Sequence, residues 1–102
     1  MNRLVTFDLV TEVTTKDKTG QTKTIKTFVP VIGKQNSVYQ NEFFKSEQAG
    51  IRSQGVIEVS YFDYNGQKLL RLNDKIYSIY RTYEQGTDRV ELYYGERVGL
   101  DG

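Results

Sequence analysis

Few residues in this chain could carry chemistry. It contains neither His nor Cys, so a general base near neutral pH would have to be a carboxylate or Lys with a shifted pKa. A nucleophilic Ser would also lack its usual imidazole partner. The Asp residues at predicted turns and at the end of the chain favour capping of backbone amides over metal binding or acid-base catalysis; they are Asp63, Asp74, Asp88 and Asp101. We therefore expect no enzymatic activity, no cofactor and no metal.

A second group combines aromatic and basic side chains in the C-terminal half. Aromatic faces beside cations on a small barrel are what single-stranded nucleic-acid binders use, so this class remains an alternative. A net charge of +1 gives little attraction for phosphate. The weak attraction favours a different interpretation, in which the core covers one face of the strand that carries these side chains and a neighbouring subunit covers the other. The group comprises Tyr61, Phe62, Tyr64, Arg71, Tyr77, Tyr80, Arg81, Tyr83 and Arg89.

The bulk properties limit the chain to one small domain over residues 1–102. Its aromatic fraction of 13%, carried by Tyr and Phe, is typical of half-buried strands. No apolar run is long enough to span a membrane, and the first ten residues lack the order of a signal peptide. These features predict a β-rich protein inside the cell.

The N-terminal part predicts a long hairpin. Residues 4–13 alternate with a period of two, residues 16–21 are polar with one Gly, and residues 22–31 are again rich in β-branched side chains. Pro30 cannot donate to a sheet, so the second strand should lie at an edge or stop pairing there. Residues 33–36 then predict a loop.

The rest predicts one short helix and four strands. Ser37 and Gln40 form a capping box, and residues 38–49 have near-helical apolar spacing before Gly50. Strands follow around residues 57–61, 69–72, 75–83 and 89–97, with Asn65-Gly66 as the strongest hairpin signal. The predicted fold is a mainly β, six-stranded antiparallel barrel with one helix inserted between strands 2 and 3. The predicted core is Phe7, Leu9, Ile57, Val59, Tyr61, Leu70, Leu72, Ile79, Val90 and Leu92.

Several motifs in the second half resemble those of the head-tail joining (head closure) proteins of tailed bacteriophages. They are Glu42-Phe43-Phe44, Asp63-Tyr64 with Gly66, residues 79–83 and residues 91–93, at spacing consistent with that family. The first forty residues share only the hairpin layout. Many relatives carry a Trp near the end of the second strand, where this chain has Phe28 and Pro30.

The resemblance implies a structural virion protein of the head-tail connector. Such proteins form a ring, twelve-fold on the portal, that closes the DNA-filled head as a stopper or joins portal to tail as an adaptor. The implied partners are other copies of the chain, the portal or adaptor protein, a tail-side connector protein and packaged DNA. The chain would assemble in the host cytoplasm and remain in the virion.

The same resemblance directs attention to particular surfaces. The hairpin around residues 14–24 and the helix at residues 38–49 are expected to contact neighbouring subunits. Lys34, in the predicted loop at residues 33–36, is expected to face the central channel and its DNA. The candidate partner-interface side chains are Tyr39, Phe43, Phe44, Tyr80, Arg81 and Tyr83.

Overall fold

Six antiparallel strands make up most of the protein. The computed structural model describes residues 3–36 and 50–97. The strands form one sheet that closes in a ring in the order β1-β2-β3-β6-β5-β4, which confirms the mainly β, antiparallel prediction. Their bounds are β1 (Arg3–Lys16), β2 (Thr22–Asn36), β3 (Ile51–Ser60), β4 (Leu69–Leu72), β5 (Lys75–Gln85) and β6 (Arg89–Arg97). No helix among the described residues is long and apolar enough to cross a membrane.

The core fills the inside of this closed sheet. Alternation along each strand sends every second side chain inward, and nine of the ten predicted core residues are buried in one cluster. Tyr61 is the exception, because β3 ends at Ser60 and Tyr61 begins a single 3-10 turn (Tyr61–Asp63) that leaves its side chain exposed. The remaining buried members of the cluster are Val31 and Tyr94.

The predicted loop at residues 33–36 is wrong, because β2 continues to Asn36. Lys34 pairs with Leu4 of β1 and with Glu58 of β3. Gly33, which suggested a turn, is a strand residue whose missing side chain makes room for the core: a Cβ there would collide with Ile57. The predicted helix at residues 38–49 lies outside the described residues.

The predicted hairpin at Asn65-Gly66 is also wrong. β3 and β4 are not paired with each other; β3 lies between β2 and β6, and β4 lies between β1 and β5. The two-residue hairpin turn is instead Asn73-Asp74 between β4 and β5, where both residues have positive φ values of 53° and 64°. Positive φ at both central residues is the geometry of a type I′ turn.

The long N-terminal hairpin is confirmed, and its outer half extends beyond the closed sheet. β1 pairs with β4 only at Asp8, Leu9 and Val10, and β2 pairs with β3 only at residues 34–36. Pro30 therefore lies where β2 has a free outer edge, as its missing N–H predicted. Residues 11–27, here called the arm, have only each other as strand partners.

Candidate protein-interaction surfaces

The arm has one polar and one apolar side. Direct cross-strand partners share a face of the ribbon. On the outer face Thr14 lies beside Thr24, with 3.4 Å between their hydroxyl oxygens. On the same face Lys26 lies 3.8 Å from the Glu12 carboxylate.

The other side of the arm continues the face that carries the core. Cross-strand register places Val13 opposite Ile25, and Val29 opposite the buried Leu9. Beyond the closed sheet nothing among the described residues covers this face: Val13, Ile25 and Val29 are 48%, 55% and 42% exposed. We call these three side chains, two in the arm and Val29 at its base, the arm stripe. An uncovered apolar continuation of a core face is a typical protein-interaction surface.

The tip of the arm is positively charged. The Asp17 carboxylate accepts hydrogen bonds from the Thr19 hydroxyl at 2.8 Å and from the Thr19 and Gln21 amides at 2.9 Å. These bonds, above all the one from the Thr19 hydroxyl, hold the pKa of Asp17 below its usual value. The carboxylate is thus engaged within the turn. The lysines beside it, Lys16, Lys18 and Lys23, make no ion pair within the described residues.

A surface of opposite charge lies where β3 and β5 end and β6 begins. The Tyr61 amide donates to the Asp88 carbonyl at 2.8 Å, which joins the turn after β3 to the turn between β5 and β6. Residues 58–63 and 83–91, together called the acidic end, contain five acidic residues and one Arg, a net charge of −4. Arg89 lies 3.3 Å from the Glu58 carboxylate, so four carboxylates have no basic partner within this surface.

Aromatic rings are exposed within the acidic end. Phe62 is 81% exposed and Tyr61 is 48% exposed, and their rings meet edge to face with centroids 6.3 Å apart. Tyr83 is also exposed and lies directly opposite Glu91. Exposed rings among carboxylates favour a basic, partly apolar protein surface as the ligand, because phosphate groups would be repelled.

The predicted interface residues that the structure describes lie in two places, around the Tyr93 ring and in the acidic end. Arg81 stacks 4.1 Å above the ring of Tyr93, and the Tyr80 ring lies 6.4 Å from that of Tyr93. The Tyr80 hydroxyl donates to Ser53 at 3.1 Å. Tyr83 belongs instead to the acidic end. Tyr39, Phe43 and Phe44 lie outside the described residues.

Lys34 lies on the outside of the closed sheet. Its strand partner Glu58 places a carboxylate beside the lysine position, which reduces the field that Lys34 presents to phosphate. The prediction that Lys34 meets DNA stays a prediction, although the flexible loop that motivated it is a strand.

Three features of the candidate interaction surfaces were not predicted from the sequence. They are the buried ring of Tyr93, the exposure of Phe62 and the arm stripe. The stripe had a signal in the sequence, because Val13 shares the odd-numbered alternation of Phe7 and Leu9. The Tyr93 ring is covered by Arg81 and Tyr80 of the neighbouring strand β5, which alternation along β6 does not indicate. In the part of the chain that the structure describes, no three acidic side chains are grouped closely enough to hold a metal ion. Comparisons of the chain with protein-family models, with curated proteins and with solved structures find no match.

Proposed function

We propose that this chain is a structural protein of the head-tail connector of a tailed bacteriophage. It forms a ring below the portal, closes the DNA-filled head and provides the surface to which the tail attaches. The proposal combines the sequence motifs of the second half with one structural observation, an arm whose apolar side no other described residue covers. A domain that leaves an apolar strand pair outside its own core depends on a neighbour to cover it, as a subunit of a ring does.

The arm supports an assembly role because it is costly for a protein that acts alone. Two-stranded ribbons are marginally stable in water, and their free edges are open to pairing with other chains. Its apolar side chains lie on one side only, whereas a solvated ribbon would be polar on both. Coverage by a second protein removes both liabilities.

A role in binding single-stranded nucleic acid is less well supported. The Tyr93 ring is buried and its face is occupied by Arg81, so stacking of a base there would require displacement of the Arg. Among the described residues the three most exposed aromatic rings, those of Tyr61, Phe62 and Tyr83, lie on the acidic end. Carboxylates at that position oppose the phosphate attraction that supplies most nonspecific affinity.

Particles made without this protein provide the test. Deletion of its gene should give capsids without tails. DNA-filled heads would indicate an adaptor, and heads that have lost their DNA would indicate a stopper. Electron microscopy of tail-less particles from a tail mutant should show the tagged protein as a ring at one vertex. A location in the tail tube, or absence from particles, would contradict the proposal.

A further inference from the structure

We propose that the arm of one copy binds the acidic end of the next copy, so that the ring is held together head to tail. This inference deepens the proposed function, on which it rests, by naming the two surfaces that meet. It commits to a second copy of this chain as the occupant of the arm stripe.

Charge complementarity within the single chain supports this occupant. The arm carries four Lys and two acidic residues, a net charge of +2, whereas the acidic end has a net charge of −4. The arm lies on β1 and β2, whereas the acidic end lies on β3, β6 and β5. Complementary potentials of this kind guide the encounter of two proteins and fix their relative orientation.

The apolar parts of the two surfaces are also suited to each other. The arm stripe offers three branched aliphatic side chains bordered by Lys23, and the acidic end offers the exposed rings of Tyr61, Phe62 and Tyr83 bordered by Asp63 and Glu84. Contact would bury aliphatic groups against aromatic rings at the centre and place Lys beside carboxylates at the rim. Protein interfaces commonly have this arrangement of an apolar centre and a polar rim.

The geometry of such a contact leads to a ring. Because the arm and the acidic end are different surfaces, each copy uses one to bind its predecessor and the other to bind its successor. Contacts of this heterologous kind generate closed rings when the rotation between subunits closes, and open filaments when it does not. Two-fold dimers through two arms or through two acidic ends are not expected, since neither surface is self-complementary in charge.

Two charge-reversed forms of the full chain test the contact. The arm form carries Lys16→Glu, Lys18→Glu and Lys23→Glu; the end form carries Asp63→Lys, Glu84→Lys and Asp88→Lys. All six side chains are exposed, so both forms should fold, which circular dichroism checks. Each form alone should self-associate about tenfold more weakly than the unmodified chain in sedimentation at low salt.

An equal mixture of the two forms should restore association. In the mixture each acidic arm meets a basic end and each basic arm meets an acidic end, so both contacts are again attractive. Carbodiimide cross-linking of the unmodified chain, with one half isotope-labelled, should join arm lysines to carboxylates of the acidic end between differently labelled copies. Absence of these links from concentrated protein, or failure of the mixture to associate, would overturn the inference.

The outcomes separate this inference from the proposed function. A ring at the portal vertex without rescue by the mixture would leave the connector function standing and place the subunit contact elsewhere. Rescue and cross-links together with absence of the protein from particles would leave the contact standing and remove the connector function. Cross-links from the arm to other parts of a second copy would also overturn the proposed contact.

Discussion

Val59 and Leu92 show how strongly single residues stabilise the closed sheet. Both side chains are fully buried in the core cluster, on β3 and β6. Truncation of either side chain to Ala should lower the free energy of unfolding by about 1 to 4 kcal/mol. The substitution removes buried methyl groups, so their contacts are lost and a cavity remains. Urea denaturation measures this loss, and the slope of the free energy of unfolding against urea concentration should be unchanged.

Phe62 supplies the control for these truncations. Its ring is larger than either side chain but mostly exposed, so Phe62→Ala should change stability by no more than about 0.5 kcal/mol. A loss for Phe62→Ala that equals the loss for Leu92→Ala would mean that the acidic end is part of the core. Unchanged denaturation midpoints for Val59→Ala and Leu92→Ala would contradict the strand register.

The Tyr94 hydroxyl connects the hydrophobic core to the side chain of Gln35. Its ring is buried beside Tyr77, with centroids 5.2 Å apart, and its hydroxyl accepts a hydrogen bond of 2.7 Å from the Gln35 amide. Burial raises the pKa of Tyr94 above its usual value. The folded state therefore favours the protonated phenol, and stability is present below the ordinary pKa of about 10 and lost as pH rises through the folded value.

Tyr94→Phe should separate these two contributions. At neutral pH the variant should lose about 0.5 to 1.5 kcal/mol, because the Gln35 amide loses its acceptor. Between neutral and strongly alkaline pH it should lose less further stability than the unmodified chain, since the buried phenol is gone. Denaturation across this pH range, with the exposed Tyr83→Phe as control, checks both statements. An alkaline loss identical in Tyr94→Phe and the unmodified chain would contradict a role for the Tyr94 phenol.

At the scale of elements, alternation predicted the strands well and local turn signals predicted their connections poorly. β4 and β6 have the expected bounds, and β1 and the core followed from a period of two. Gly33 misled because a glycine can serve close packing as well as a turn. Asn65-Gly66 misled because Gly66, with a φ of 79°, turns the chain between two strands that do not pair with each other. Only the closed strand order shows that Gly33 lies against Ile57 and that the neighbours of β3 are β2 and β6 rather than β4.

The candidate surfaces were predictable only in outline. The hairpin was expected to contact a neighbour, but its apolar side emerged from the register of Val13 with Ile25. The acidic end could not be predicted, because its two segments are far apart in sequence and meet through a backbone hydrogen bond from Tyr61 to Asp88. Long-range pairing of this kind leaves no periodic signal in the sequence.

The turn between β4 and β5 offers a prediction at this scale. Asp74 has a φ of 64°, a left-handed conformation that Gly adopts without strain. Asp74→Gly should raise the free energy of unfolding by about 0.4 to 1 kcal/mol, since Asn-Gly is the preferred type I′ pair. Thermal or urea denaturation checks this. The matched variant Asp74→Val should lower stability by about 1 to 2 kcal/mol, because a β-branched side chain opposes this conformation. Equal stabilities of the two variants would contradict the assigned turn.

The whole molecule is elongated, with extents of 50 × 32 × 25 Å. This shape follows from strands β1 and β2 of 14 and 15 residues in a sheet whose β4 has only 4. The long pair extends past its short neighbour, so the molecule combines a stable closed sheet with an arm that lacks a core. Such a division predicts two levels of local stability within one chain.

Amide hydrogen exchange on the isolated chain should resolve these two levels. Amides of the closed sheet, such as those of Val59 and Leu92, should exchange only through global unfolding. Arm amides around Val13 and Ile25 should exchange much faster, because only one ribbon of exposed hydrogen bonds holds them. When copies assemble, the arm amides should become protected, since the arm stripe is then covered. The charge-reversed arm form should gain no such protection under the same conditions. Arm amides as slow as the core amides in the isolated chain would mean that the arm is stable without a neighbour, and the structural argument for a ring subunit would then fail.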